Sequence, residues 1–283
     1  MAPALQLDTV EERESFEFFT SHAVTSLRGF LDSPFWQREV LQAAYREPAI
    51  QHCVIALGAM HRRFYQGSGS HLIEKDMSDK YLQFALRQSN QAIQDLVRKQ
   101  SSGGKMARTD KVTLMTCSIL FSSMSCLQGY QRDAFEHLRS GIRMLNEMDD
   151  EDYDRAADHP VDIESLRSLF VGLDMQARSI MPATRSREWV SRPKTRAPTI
   201  LPGAELNMSS LLAVLRYMES LFNHIHAFFQ GSVSQSAEDA NDVFLEYNDL
   251  VARFHRGTVI LETLCEKASS TGCLLYTSPS PRD

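Results

Sequence analysis

Nine histidines, five cysteines and one dense run of carboxylates are the side chains in this sequence able to ligate a metal, act as a nucleophile or move a proton. His224 and His226 lie two residues apart. On a helix that separation is about 200°, so the two rings face opposite ways and cannot share an ion. His226 aligns with Glu219, Asn223 and Gln230 on a polar stripe, which reads as a solvated or hydrogen-bonded histidine. Cys117 and Cys126 stand nine residues apart on one helical segment, again on opposite sides. That spacing excludes a joint metal site or a disulfide within the helix. Both read as small core residues, as does Cys53 in its apolar run. Cys265 alone has a position open to exposure, with nothing nearby to lower its pKa. His52 and His61 are nine apart and fall under the same exclusion. His61-Arg62-Arg63 reads as the close of a helix, where positive charge complements the C-terminal dipole. His22 and His137 have no carboxylate or nucleophile at a useful spacing.

The remaining chemistry is thin. Phosphate-binding glycine loops, the nucleophile elbow and the H-E-x-x-H zinc motif are absent from the sequence. The run Gly67–Ser70 has neither a following lysine nor a preceding strand, and reads as a linker. Asn207-Met208-Ser209 matches a glycosylation acceptor, but no secretory signal opens the chain. Between Asp149 and Asp158 six acids sit in a polar segment with no apolar wall to raise a carboxyl pKa. The expectation is a protein that is not an enzyme, with no catalytic, cofactor-binding or metal-binding residue and no resident cofactor.

The elements that carry these residues are helices. Apolar spacing of three and four predicts nine segments: 14–31, 34–46, 48–65, 79–99, 110–129, 133–148, 162–181, 211–229 and 236–267. Ser33-Pro34 reads as an N-cap with proline at the first helical position. Asp110 is expected to cap the fifth segment, Gly129 to end it, and Ser236 with Asp239 to form a capping box. No window sustains strand alternation. The predicted fold class is all-α, an array of about nine helices packed as helical hairpins, with residues 1–13 disordered.

Composition narrows the classes further. The chain has 283 residues, 43% hydrophobic content, only 13 glycines and 10 prolines, and a net charge of −6. It can bury a large core, and its overall acidity disfavours binding to a phosphate backbone. The odd, scattered cysteines at 53, 117, 126, 265 and 273 point to reduced thiols rather than a disulfide framework. The longest uncharged stretch, Val112–Gln131, carries too many hydroxyls for a membrane span and reads as a core helix. Asp149–His159 has a net charge of −5 and Arg185–Arg196 one of +4. Both read as loops, the second (185–198) containing prolines, and either could serve as a partner contact. The last residues, 273–283, end in Ser278-Pro279-Ser280-Pro281 and read as the translation of a sequencing adapter, so the natural C-terminus is expected to be missing.

One family resemblance organises these fragments. Phe16-Glu17-Phe18-Phe19, Gly29-Phe30-Leu31, Phe35-Trp36, Leu41-Gln42-Ala43, Glu47-Pro48-Ala49-Ile50, His52 and Ala56–His61 follow in order. Downstream come Tyr81, Ala85-Leu86, Asn90 and Ala92-Ile93, then Leu127-Gln128-Gly129, His137–Gly141 and Leu173–Ala177. Together they resemble the regulatory domain of fungal zinc-cluster transcription factors, over residues 14–272. The resemblance implies a nuclear regulator of transcription that works through partners of the transcription machinery, a homodimer or an effector. In that family DNA is read by an N-terminal cluster of six cysteines holding two zinc ions. No cysteine precedes Cys53 here, so either that module lies upstream or this is a paralogue lacking it, and zinc and DNA contact are expected only in the first case. The alternative is a cytosolic helical-repeat scaffold.

Overall fold

The computed structural model describes residues 7–27, 33–66, 79–100, 106–148, 159–181, 211–232 and 240–270. The acidic segment 149–158, the basic stretch 185–198, the linker 67–70, the Ser236–Asp239 box, the glycosylation match at 207–209 and the tail 273–283 lie outside them. Every regular element among the described residues is helical, as the sequence predicts, and no strand is present among them. The chain divides into two compact units. The first takes in Met1–Asp174 with Ser191–Lys194, and the second Met175–Val190 with Thr195–Asp283.

In the first unit α1 (Val10–Phe18) starts four residues earlier than expected and cuts the predicted disordered stretch short. The cause is a capping box. The Thr9 hydroxyl accepts from the Glu12 N–H at 3.2 Å while the Glu12 carboxylate accepts from the Thr9 N–H at 3.1 Å. The helical path passes through a π-helical turn, Phe19–Ala23, into α2 (Val24–Leu27). Ser33 offers its carbonyl to the Gln37 N–H at 3.1 Å, and helix resumes at Pro34 as expected. A second π-helical turn, Phe35–Glu39, leads into α3 (Val40–Ala44).

Next, α4 (Pro48–Gln66) is the centre of this unit. It packs against α1, α3, α5 (Lys80–Gln100) and α6 (Arg108–Leu127). Its residues from Cys53 to His61 are all buried, the pattern of a helix enclosed on every side. Gly58 makes the closest approach possible: a Cβ there would stand 2.1 Å from the Ser15 carbonyl oxygen and 3.1 Å from the Phe19 Cβ. Asp79 caps α5, its Oδ1 accepting from the Tyr81 and Leu82 N–H groups at 2.9 and 3.2 Å.

By contrast, Asp110 does not cap α6. The helix begins at Arg108 behind Ala107, and Asp110 lies in the first turn, where its charge still faces the positive end of the dipole. Gly129 does end it. It adopts φ 75°, with its N–H on the Cys126 carbonyl at 3.0 Å and the Tyr130 N–H on the Ser125 carbonyl at 2.9 Å. These two bonds form a Schellman turn into α7 (Gln131–Asn146). The resulting hairpin meets α8 (Ile163–Ile180), whose Phe170 lies against Gly141.

In the second unit α9 (Leu211–Ser232) pairs with α10 (Ala240–Ser270). Val214, Tyr217, Leu221 and Leu250 form its buried centre. Gly257 lets α9 come close, a Cβ there falling 2.6 Å from the Met218 sulfur.

Candidate functional site

The richest concentration of chemistry-bearing side chains among the described residues lies where α1, α4 and α5 meet. His52 on α4 donates through Nδ1 to the Gln88 side-chain carbonyl on α5 at 2.6 Å. The Gln88 amide in turn donates to Glu12 on α1 at 2.9 Å. Asp95 stands 3.8 Å from the other ring nitrogen of His52. Burial pushes the Glu12 carboxyl up, but the Thr9 N–H, the Gln88 amide and the Asp8 N–H outweigh it and hold the group below its usual range. The chain of bonds therefore ties three helices together through one buried glutamine.

One turn from the end of α4 sits a second group. His61 is 4% exposed and its Nδ1 has no hydrogen-bond partner. Phe18, Phe64 and Tyr65 surround its ring at 5.7 to 6.3 Å between centroids. His22 stacks on Phe18 at 4.5 Å and meets Tyr65 edge-on. Burial, reinforced by the charge of nearby His22, pushes the His61 imidazole below its usual pKa. This corrects the reading of His61 as a terminal charge. The helix ends at Gln66, one residue beyond the predicted end, and Arg63 lies in its last turn as expected. Of the arginines beside His61, Arg62 pairs with Glu14 at 2.7 Å near the surface, and the buried Arg63 pairs with Asp79 at 2.5 Å.

A buried carboxylate also stands in this unit. Glu39 accepts from the Ser165 hydroxyl at 3.0 Å and from the Asp162 N–H at 3.2 Å, so it serves the N-terminus of α8 from 123 residues away. Burial raises its pKa against the two hydrogen bonds. Close by, His159 accepts from the Val161 N–H through Nδ1 at 3.0 Å.

Three of the cysteines lie as expected, but Cys126, read as a core residue, does not: it faces away from Cys117 near the end of α6, out of the core. Cys117 is buried and Cys126 exposed on opposite sides of α6, Cys53 is buried, and Cys265 is exposed. Spacing alone does not show that Cys53 and Cys117 meet across the α4–α6 contact. The Cys117 thiol hydrogen-bonds that of Cys53, and burial first, then this partner, pushes the Cys53 thiol well up. A thiol so placed is a poor nucleophile. His137 stacks on Phe121 at 5.3 Å, and burial lowers its pKa. His224 is lowered by burial and by Arg253, whose guanidinium lies 3.4 Å from its Nδ1.

No group of three or more histidines, cysteines or carboxylates among the described residues is arranged to hold a metal ion. None of their helices is long and apolar enough to cross a membrane. His52, His61, His137 and His159 are engaged by glutamine, aromatic, hydroxyl and backbone groups of neighbouring elements.

The family described as "Fungal specific transcription factor domain" matches residues 14–224. The aspercryptin biosynthesis cluster-specific transcription regulator atnN of Emericella nidulans is 29% identical over 174 residues, which span 61% of this chain and 26% of that protein. The chain thus matches about a quarter of that relative's length. No solved structure matches at a significant level.

Proposed function

The chain belongs to the fungal-specific transcription factor domain family, and from that premise we propose that it is the regulatory and interaction domain of a nuclear transcription regulator. The match over residues 14–224 carries this reading, because it runs from within α1 through α8 and into α9. The domain acts by binding a protein partner or effector and passing that event through the α1–α4–α5 junction. It makes no sequence-specific contact with DNA of its own. The net charge of −6 supports this, since an acidic surface repels phosphate. The coupling of helices by Gln88 and by Glu39 supports transmission, since each joins elements far apart in the chain.

Tethering tests the regulatory role. The full chain is fused to an unrelated DNA-binding module and placed upstream of a reporter in a fungal nucleus. Reporter output is expected to shift, up or down, by severalfold relative to the module alone. Output equal to that of the module alone at matched protein levels would contradict the proposal.

A further inference from the structure

The outward side of α5 carries two rows of side chains that its own unit leaves exposed. Leu86, Asn90, Ile93 and Val97 recur at four, three and four residues and so share one side of the helix. Leu86, Ile93 and Val97 are 38%, 47% and 56% exposed, although the core takes the neighbouring Leu82, Ala85 and Ala92. Beside that row runs a basic one. Lys80, Arg87 and Arg98 are spaced seven and eleven residues, which brings them into line about a quarter turn away. All three are exposed. Lys80 lies over the Tyr81 ring at 5.1 Å and Arg87 over the Phe84 ring at 5.8 Å, and neither has a carboxylate partner among the described residues. The one carboxylate of α5, Asp95, is engaged by His52 and Arg98. A chain of net −6 thus carries four cations against one acid on this helix.

We propose that this side of α5 docks an acidic amphipathic helix of a partner protein. The partner lays an apolar stripe along Leu86, Ile93 and Val97, and a row of Asp or Glu along Lys80, Arg87 and Arg98. Charge selects this occupant. A second copy of α5 sets cations against cations. A nucleic acid meets three aliphatic side chains where it needs cations. A convex helix face does not enclose a small molecule. An acidic helix uses both rows at once. Asn90, in the middle of the aliphatic row, fixes the register, because its amide is satisfied only where the partner aligns a polar group with it. The contact is small, three aliphatic side chains and the stems of Arg87 and Arg98, which is the scale of a transient signalling encounter. The inner side of the same helix holds Gln88, bonded to His52 and Glu12, so a docked partner bears directly on the junction of α1, α4 and α5. The inference rests on the regulatory reading only for the partner's role; the docking itself stands on α5.

Selection of a displayed library of randomised 16-residue peptides on the full chain, at physiological salt, tests it. Enriched peptides are expected to carry apolar residues at helical spacing flanked by Asp and Glu. The leading sequence is then made as a fluorescein-labelled peptide and titrated by anisotropy. Ile93→Asp is expected to weaken its binding by about tenfold or more, and Arg87→Glu by about fivefold, with unchanged far-ultraviolet circular dichroism. The same peptide with lysine in place of its acids should bind Arg87→Glu better than it binds the wild type. Arg139→Glu, at an exposed position of α7, is expected to change nothing. A selection that enriches no acidic amphipathic sequence would overturn the proposal, as would a leading peptide that binds both α5 variants as tightly as the wild type. Either failure leaves the tethering result standing, and a silent reporter leaves the peptide result standing.

Discussion

Two glycine-to-alanine substitutions in helix interiors are expected to change stability in opposite directions. At Gly58 the added methyl would lie 2.1 Å from the Ser15 carbonyl oxygen. An ordinary carbon–oxygen approach is about 3.3 Å, so α1 must retreat by about 1 Å. The carbonyl is helix backbone and cannot turn aside. Phe16, Phe19 and Val24 are buried against this contact, and burying such side chains is worth about 2 kcal/mol each. A gap of about 1 Å forfeits up to half of the contact energy, or about 3 kcal/mol. Alanine recovers about 1 kcal/mol through its better helix propensity, leaving a net loss of about 2 kcal/mol. Gly172, on α8 of the same unit, has nothing within 4 Å of its would-be Cβ. There the propensity gain acts alone, and Gly172→Ala is expected to stabilise by up to about 1 kcal/mol. Urea titration followed by far-ultraviolet circular dichroism, together with the fluorescence of buried Trp36, reads both. With a slope of about 2 kcal/mol per M, the two midpoints should lie more than 1 M apart, on either side of the wild type. A Gly58→Ala midpoint equal to or above that of Gly172→Ala would refute the close approach of α1 to α4.

Three further outcomes follow from the junction and the buried thiols. Gln88→Leu removes the acceptor for His52 and the donor for Glu12, leaves both half-buried, and should cost about 1–3 kcal/mol in the same titration. The folded-state pKa of His61 lies below its unfolded value. Its contribution to stability is therefore intact above about pH 6.5 and declines as the pH falls through that value, where the unfolded chain takes up the proton first. His61→Phe should make stability less sensitive to acidification between pH 7.5 and 5, and an unchanged pH profile would contradict the assignment. Under alkylation of the native protein, peptide mapping should find Cys126 and Cys265 modified and Cys53 and Cys117 protected until urea unfolds the chain.

Local signals in the sequence are strong for this chain, and long-range ones are weak. Gly129 is read correctly because a turn glycine acts within a few residues. Thr9 and Glu12 carry the same kind of signal, overlooked because the apolar stripe only gathers after Glu14. Asp110 misleads because an acid in the first turn and an acid at the cap look alike in sequence. Neither π-helical turn is visible, since one extra residue per turn leaves no mark in a short apolar pattern. The site depends on pairs that only folding brings together. Gln88 lies 36 residues from His52 and 76 from Glu12, and Glu39 reaches Ser165 across 126. Helical spacing explains which way Cys53 and Cys117 point, but says nothing about the packing of α4 on α6 that joins them. On α10 the apolar spacing from Phe244 to Phe254 is legible in the sequence, while the exposure of these side chains, 40% to 62%, is not.

The central claim is that this domain serves transcription without reading DNA sequence itself. Repeated selection of the full chain against a pool of randomised duplexes at physiological salt addresses it most directly, with recovered duplexes sequenced after each round. The account predicts that no motif is enriched and that residual retention vanishes as salt rises. A motif that emerges reproducibly, and whose scrambled version is not bound, would contradict it.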